Sequence, residues 1–302
     1  MNKIQNQIAS EINAKPIQVA AAIKLLNEGA TVPFISRYRK EVTGGLDDTQ
    51  LRTLEERLSY LQELDDRRQT ILNSIDEQGK LTPELKQTLL AADTKTRLED
   101  LYLPYKQKRR TKGQMAIEAG LEPLAESLFN YPDLDPEQQA KAYINAEQGI
   151  TDTKSALDGA KYILMERFSE DAELVGRLRQ YMSNEAKLSA TLISGKEQEG
   201  AKYRDYFEHC EPLKTTPSHR ALAMFRGRRE GILSLKVEID SGATEGHPCE
   251  AMIAHHVNIE NQGRAADKWL SEVIRWTWKV KLHLHIETDL LAELRDRAEI
   301  AA

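Results

Sequence analysis

Five cations lie close together in the stretch around residue 110, and no acidic residue separates them. The whole chain is acidic, with 42 Lys and Arg against 48 Asp and Glu and a net charge of -6, so this stretch departs from its background. Cationic side chains just before a helix start, together with free backbone N–H groups, bind phosphate oxygens. We call the five residues the basic connector: Lys106, Lys108, Arg109, Arg110 and Lys112.

Two further clusters of cations occur elsewhere in the chain. One comprises Arg37, Arg39 and Lys40, which surround an aromatic residue, Tyr38. The other comprises Arg226, Arg228 and Arg229, with His219 and Arg220 on a neighbouring helical face. Three basic clusters in an acidic chain favour local binding of a polyanion, RNA and/or DNA, over a module that is basic throughout.

Each cluster also has a structural interpretation. Any of them can be a solvated or ion-paired face, and the basic connector can brace the scaffold against Glu99, Asp100 or a neighbouring acidic helix. Tyr102 and Tyr105 flank the connector, where an aromatic ring can stack on an unpaired base. These alternatives remain open at the level of sequence.

The sequence contains few motifs that would indicate catalysis, nucleotide binding or metal binding. The chain has no phosphate loop of the G-x-x-x-x-G-K-[ST] type and no G-x-S-x-G nucleophile elbow, so we expect no enzyme, no cofactor and no small-molecule substrate. One stretch is rich in zinc-ligand types but lacks the C-x-x-C and H-x-x-x-H spacings, and we therefore predict no metal site. Its members are His209, Cys210, His247, Cys249, His255 and His256.

Cellular location follows from what the chain contains. Only two cysteines occur, which fits a reducing compartment. The polar N-terminus does not resemble a signal peptide, and no apolar run approaches the ~18 residues of a membrane span. We expect a cytoplasmic protein with no membrane partner.

Hydrophobic periodicity predicts a mainly α fold, a multi-helix array with helix-turn-helix-like units and one small β element near 232–239. Two short helices, joined by a tight turn before Pro16, form the first such unit, although most pairs of this kind only pack. A capping box of Asp47 and Gln50 opens a long amphipathic helix over 48–78.

Several segments after residue 180 are less regular. Alternation from Leu233 to Ile239 predicts a strand, whereas 187–194 is ambiguous between helix and strand. We expect a helix over 196–207 and a helix break over 280–286, where apolar and polar residues briefly alternate.

Proline-containing linkers divide the chain into three predicted parts. These are an N-terminal helical domain over 1–130 with the long helix and the basic connector, a helical subdomain over 131–211, and a region over 212–302 with a helix, the β element and C-terminal helices. Because the helical pattern is still running at 299–302, we expect the natural chain to continue into a further domain.

Four long stretches resemble the Tex family of bacterial transcription accessory proteins, in the family's order, and the likeness runs over essentially the whole chain. They are 32–47 (VPFISRYRKEVTGGLD), 98–113 (LEDLYLPYKQKRRTKG), 155–171 (SALDGAKYILMERFSED) and 217–231 (PSHRALAMFRGRREG). The resemblance implies a helical N-terminal scaffold, a cytoplasmic location, nucleic-acid binding and a role in transcription. It also implies distant kinship with a eukaryotic transcription elongation factor that handles histones.

The same resemblance also limits which functions of the family can be expected from these 302 residues. Tex-family proteins continue into an RNase H-like domain, helix-hairpin-helix units and an OB-fold that carries much of the RNA binding, and no counterpart of these lies in the 302 residues. The family offers no catalytic residues that map onto this chain. Two functions follow as hypotheses: nucleic-acid binding through the three basic clusters, or a protein-interaction scaffold, suggested by the long charged helix, that docks RNA polymerase or other domains of its own full chain.

Overall fold

The computed structural model describes residues 2–106, 110–239 and 246–301. Lys108 and Arg109 of the basic connector therefore lie outside the described residues. The chain divides into two compact units, Met1–Tyr102 and Leu103–Ala302. Helices dominate both units, which confirms the mainly α fold predicted from the sequence. The three-part domain division stays a prediction.

Unit 1 is built around one long helix. Its described helices are α1 (Asn2–Glu11), α2 (Pro16–Asn27), α3 (Val32–Tyr38), α4 (Asp48–Glu77), α5 (Pro83–Ala91) and α6 (Lys95–Tyr102). The Asp47–Gln50 capping box is present, as predicted, because each side chain pairs with the backbone N–H of the other. A stripe of buried leucines and isoleucines along α4 provides the surface on which the shorter helices pack.

Charged side chains of α4 form ion pairs and hydrogen bonds with the neighbouring helices. Arg57 pairs with Glu11 of α1 at 2.6 Å. Arg68, only 12% exposed, donates to the carbonyls of Leu89 and Ala92 at the end of α5. The α1–α2 pair packs against α4, and its interpretation as a DNA-reading unit stays a prediction.

Unit 2 is organised around α10, which lies against five other helices. The described helices are α7 (Lys112–Glu118), α8 (Glu122–Asn130), α9 (Pro136–Ala140), α10 (Thr153–Ser169), α11 (Ala172–Glu185), α12 (Ser218–Arg229), α13 (Pro248–His256), α14 (Asp267–Trp276) and α15 (His283–Ile300). Asp152 and Ser155 form the capping box that starts α10, and seven buried apolar residues along α10 belong to the hydrophobic core of this unit.

The β element is larger than the sequence predicted. Three antiparallel strands are described, in the order β2–β1–β3: β1 (Lys187–Leu192), β2 (Glu208–Pro212) and β3 (Leu233–Glu238). The ambiguous segment 187–194 is thus largely a strand. The helix expected over 196–207 is wrong, since turns and a 3₁₀ segment (Ala201–Tyr206) lead into β2 instead.

The helix break expected over 280–286 is also wrong. A π-helical segment, Thr277–Leu282, joins α14 to α15 without interruption. Leu282 and Ile286 are buried one helical turn apart, whereas Val280 and Leu284 are exposed, so the local alternation comes from exposed apolar residues on a continuous helix. Early in α15, Glu287 accepts a hydrogen bond from the Val237 N–H of β3 at 2.8 Å, which covers the outer edge of that strand.

Candidate nucleic-acid interface

The first basic cluster lies at the end of α3 in unit 1. Arg37, Arg39 and Lys40 are all exposed, and none forms an ion pair with a carboxylate in the part of the chain that the structure describes. The Arg39 guanidinium lies 5.4 Å from the centre of the Phe34 ring and donates to the Tyr38 carbonyl at 3.2 Å. The cluster therefore presents three uncompensated cations beside exposed aromatic surface.

The basic connector begins unit 2 and is partly neutralised. Lys106 is exposed. Arg110 pairs with Glu118 of α7, with Nε and Oε2 2.9 Å apart, and the Lys112 Nζ lies 4.9 Å from the centre of the Tyr162 ring. Because the Arg110 and Glu118 side chains remain 66% and 42% exposed, this pair contributes at most ~1 kcal/mol and leaves Arg110 free to exchange onto phosphate.

The start of α7 is less open to anions than its sequence indicates. The Thr111 hydroxyl accepts from the Gln114 N–H at 3.1 Å and donates to Glu166 of α10 at 2.9 Å. A carboxylate thus lies where the sequence suggested a phosphate. Glu99 forms a bidentate pair with Arg67 of α4, and among the described residues Glu118 contacts Arg110 and Glu166 contacts Thr111. A bracing role for the connector's cations stays a prediction.

The third cluster occupies the last turn of α12. Arg226, Arg228 and Arg229 are exposed, and cations at this end are favoured by the helix dipole. Gly227 allows the close approach of α12 to β3, because a Cβ atom there would lie 2.6 Å from Leu233 Cδ1. The three arginines are therefore held at a fixed distance from the sheet.

A groove of about 560 Å³ separates α12 from α15 in unit 2. Its apolar surface comes from both helices, and its charge comes from the three α12 arginines and from Arg295, which sequence reasoning did not single out. Arg295 pairs with Glu299 at 2.8 Å. The lining residues are Leu222, Phe225, Arg226, Arg228, Arg229, Thr288, Leu291, Ala292, Arg295 and Glu299.

Two acidic residues near α12 form ion pairs with cations other than the three groove arginines. Glu230 pairs with Lys202 at 2.7 Å, and this hydrogen bond holds the pKa of the Glu230 carboxyl below its usual value. Glu211 pairs with Arg220 at 3.0 Å. Arg220 is consequently a structural residue, whereas the three groove arginines form no ion pair with any described carboxylate.

The zinc-ligand types of unit 2 are dispersed. No group of three or more His, Cys, Asp or Glu residues suited to a metal ion occurs within 2–106, 110–239 and 246–301. His247 accepts from the Cys249 N–H and starts α13, while His256 pairs with Asp171 at 3.0 Å. Burial raises the pKa of the Cys249 thiol to about 12.

Two family profiles match this chain. The Tex-like protein N-terminal domain matches residues 2–76, and the Tex central region-like domain matches residues 131–302, more than half of the chain. The chain belongs to the Tex family. This agrees with the resemblance carried by the four sequence stretches.

Tex-family relatives extend the match over nearly the whole chain. It is 58% identical over 295 residues to Protein YhgF of Escherichia coli (strain K12), and 49% identical over 298 residues to Transcriptional accessory protein Tex of Neisseria gonorrhoeae. These alignments cover 97% and 98% of this chain but 38% and 39% of the relatives. The human S1 RNA-binding domain-containing protein 1 is 28% identical over 256 residues, which cover 81% of this chain and 25% of that protein.

Within the described ranges, every helix is too short or too polar to cross a bilayer.

Proposed function

We propose that this region of a Tex-family transcription accessory protein binds nucleic acid, with the α12–α15 groove of unit 2 as its main contact. The observation that carries the proposal is the set of three exposed arginines, Arg226, Arg228 and Arg229, which border the groove and form no ion pair with a described carboxylate. Guanidinium groups of this kind bind phosphate oxygens through paired N–H donors.

The groove combines charge with apolar surface. Arg295 faces the α12 arginines from the opposite helix, and Phe225 and Leu222 contribute the apolar side. Phosphates bound at the two rims would place a sugar or base against this surface. The human relative is named for an RNA-binding domain, which supports RNA as the first ligand to test.

The proposal places the protein in the cytoplasm with the transcription machinery and assigns it no catalytic step. The other two basic clusters would add phosphate contacts. In the basic connector, Lys106 and Lys112 carry no ion pair with a described acid, whereas Arg110 must first leave Glu118. Arg110 therefore contributes less to binding than a groove arginine that carries no ion pair.

Salt dependence of binding tests the proposal. Anisotropy of labelled oligouridine is measured at several salt concentrations for the wild type and for Arg226→Ala/Arg228→Ala/Arg229→Ala. For single strands each phosphate contact contributes ~0.7 to the log–log slope, so losing three contacts flattens the slope by about 2.

A matched control separates a specific groove from general charge. Arg52, Lys86 and Arg177 are exposed cations outside the three clusters, and their triple replacement by Ala changes the net charge equally. We expect this control to retain nearly the full slope. Equal losses in both triple variants would refute the groove as the binding site.

The second candidate function is a scaffold that docks RNA polymerase. Helix α4, with 30 residues and charged exposed faces, favours it. Recovery of polymerase by this chain after nuclease treatment would support docking, and loss of polymerase on that treatment would count against it.

A further inference from the structure

Two aromatic rings on the surface of α3 are exposed to solvent and are not part of the hydrophobic core. Phe34 and Tyr38 are 41% and 63% exposed, although the same helix buries Val32 and Ile35 completely or nearly so. The two rings lie one turn apart, with centroids separated by 5.5 Å and planes tilted by 44°. Adjacent aromatic rings left on a surface indicate a binding site, because burial would otherwise stabilise the fold.

Three cations lie next to these rings in the sequence. Arg37, Arg39 and Lys40 are exposed and form no ion pair with a described carboxylate, and Arg39 already lies against the Phe34 ring. Glu41 is the one acid between residues 32 and 46, so this surface has a local charge of about +2. A ligand that fits must therefore be anionic and must offer flat apolar faces.

The backbone that holds the cations is rigidly fixed. Thr43 is fully buried, and its hydroxyl donates to the Lys40 carbonyl at 3.2 Å. Gln18 of α2 donates to the Gly44 carbonyl at 2.8 Å. Gly44 and Gly45 adopt φ values of +61° and +91°, which favour glycine and make the tight turn possible. A turn fixed in this way loses little conformational entropy when a ligand binds.

We infer that the α3 surface is a stacking site for unpaired bases of a single-stranded nucleic acid. Phe34 and Tyr38 contact the base faces, while Arg37, Arg39 and Lys40 neutralise the phosphates on either side. In a duplex the base faces are covered by neighbouring pairs, so the rings gain nothing from it. The inference rests on the proposed function and adds a preference for unpaired bases.

The test compares three ligands of equal length and label: oligouridine, an abasic oligonucleotide and an RNA duplex. Anisotropy is measured on the 302-residue chain and on Phe34→Ala/Tyr38→Ala. Because stacking contributes substantially for each base, we expect the variant to bind oligouridine about 5- to 100-fold more weakly. Its affinity for the abasic strand and for the duplex should change less than about twofold, since these ligands make no stacking contact.

Two matched variants make the result specific. Tyr38→Phe keeps the ring and should bind oligouridine like the wild type, which separates stacking from hydrogen bonding by the hydroxyl. Tyr131→Ala removes a ring that is 66% exposed in unit 2 and should have no effect. The single Tyr38→Ala variant repeats the test at a position that carries no core packing, should the double variant fold poorly.

Three outcomes would overturn the inference. Equal affinity of the wild type for the abasic strand and for oligouridine would leave no role for bases. Equal weakening of all three ligands in Phe34→Ala/Tyr38→Ala would make the rings a structural or general docking element. No binding of any ligand by the wild type would overturn the proposed function as well, so the two failures are distinguishable.

Discussion

Replacement of Gly227 by alanine tests whether α12, and with it the groove arginines, is held against β3 as described. A Cβ atom at this position would lie 2.6 Å from Leu233 Cδ1 and 2.9 Å from Leu233 Cγ. Carbon atoms in contact prefer about 3.5–4.0 Å, so the helix or the leucine must move by about 1 Å. The structure therefore predicts a clash with one identified side chain.

Two opposing effects set the magnitude. In an open helix, Gly→Ala stabilises by about 1 kcal/mol, whereas overpacking a core contact costs about 1–3 kcal/mol. We expect Gly227→Ala to lower the free energy of unfolding of unit 2 by about 1 kcal/mol. In the Leu233→Ala background the clash is absent, and the same substitution should stabilise by about 1 kcal/mol.

Urea unfolding followed by tryptophan fluorescence provides the assay, because the three tryptophans are Trp269, Trp276 and Trp278, all in unit 2. The four proteins of the cycle give the coupling between Gly227 and Leu233, with a change of sign as the expected result. Stabilisation by Gly227→Ala in the wild-type background, or an equal effect in both backgrounds, would refute this packing of α12.

Three further predictions follow from other contacts. Asp171 starts α11, and although burial opposes it, hydrogen bonds from a backbone N–H and an imidazole hold the pKa of its carboxyl below the usual value. Asp171→Ala should cost about 0.5–2 kcal/mol at neutral pH in thermal unfolding. Because the pKa of the Asp171 carboxyl is lower in the folded state than its unfolded value near 4, the ionised carboxylate stabilises the fold above about pH 4. This stabilisation is lost as the pH falls through the folded-state pKa, so the free energy of unfolding of the wild type should fall more on acidification than that of the variant. Iodoacetamide should modify exposed Cys210 but not buried Cys249 in the native protein, and mass spectrometry showing two adducts would contradict this. Arg110→Ala should flatten the salt slope of oligouridine binding by about 0.7, because Arg110 can exchange from Glu118 onto a phosphate, and an unchanged slope would exclude Arg110 as a phosphate contact.

Local sequence signals predicted the elements that depend on near neighbours. The Asp47–Gln50 capping box and the stripe along α4 involve residues three or four apart, and both appear as predicted. Strand β2 was missed because no residue of it is fully buried, so no hydrophobic alternation marks it. Its existence depends on pairing with β1, about 20 residues earlier in the chain.

The interface could be predicted only in part, because some of its contacts join residues that are far apart in the sequence. The sequence identified the three basic clusters, but it could not show that Glu166, 55 residues after Thr111, would approach the basic connector. Arg295 joins the α12 arginines only because α15 packs beside α12. A single arginine followed by an acid four residues later is typical of a solvated helix face, so nothing in its local pattern indicated a groove.

Photo-crosslinking of 4-thiouridine RNA, followed by peptide mass spectrometry, tests the central claim most directly. If the α12–α15 groove is the main contact, crosslinked peptides will include Ser218–Arg229 and His283–Ile300, in addition to those from the α3 stacking site, and Arg226→Ala/Arg228→Ala/Arg229→Ala will abolish most of the crosslinks in these two helices. Crosslinks confined to other parts of the chain, and unchanged in that variant, would contradict the account.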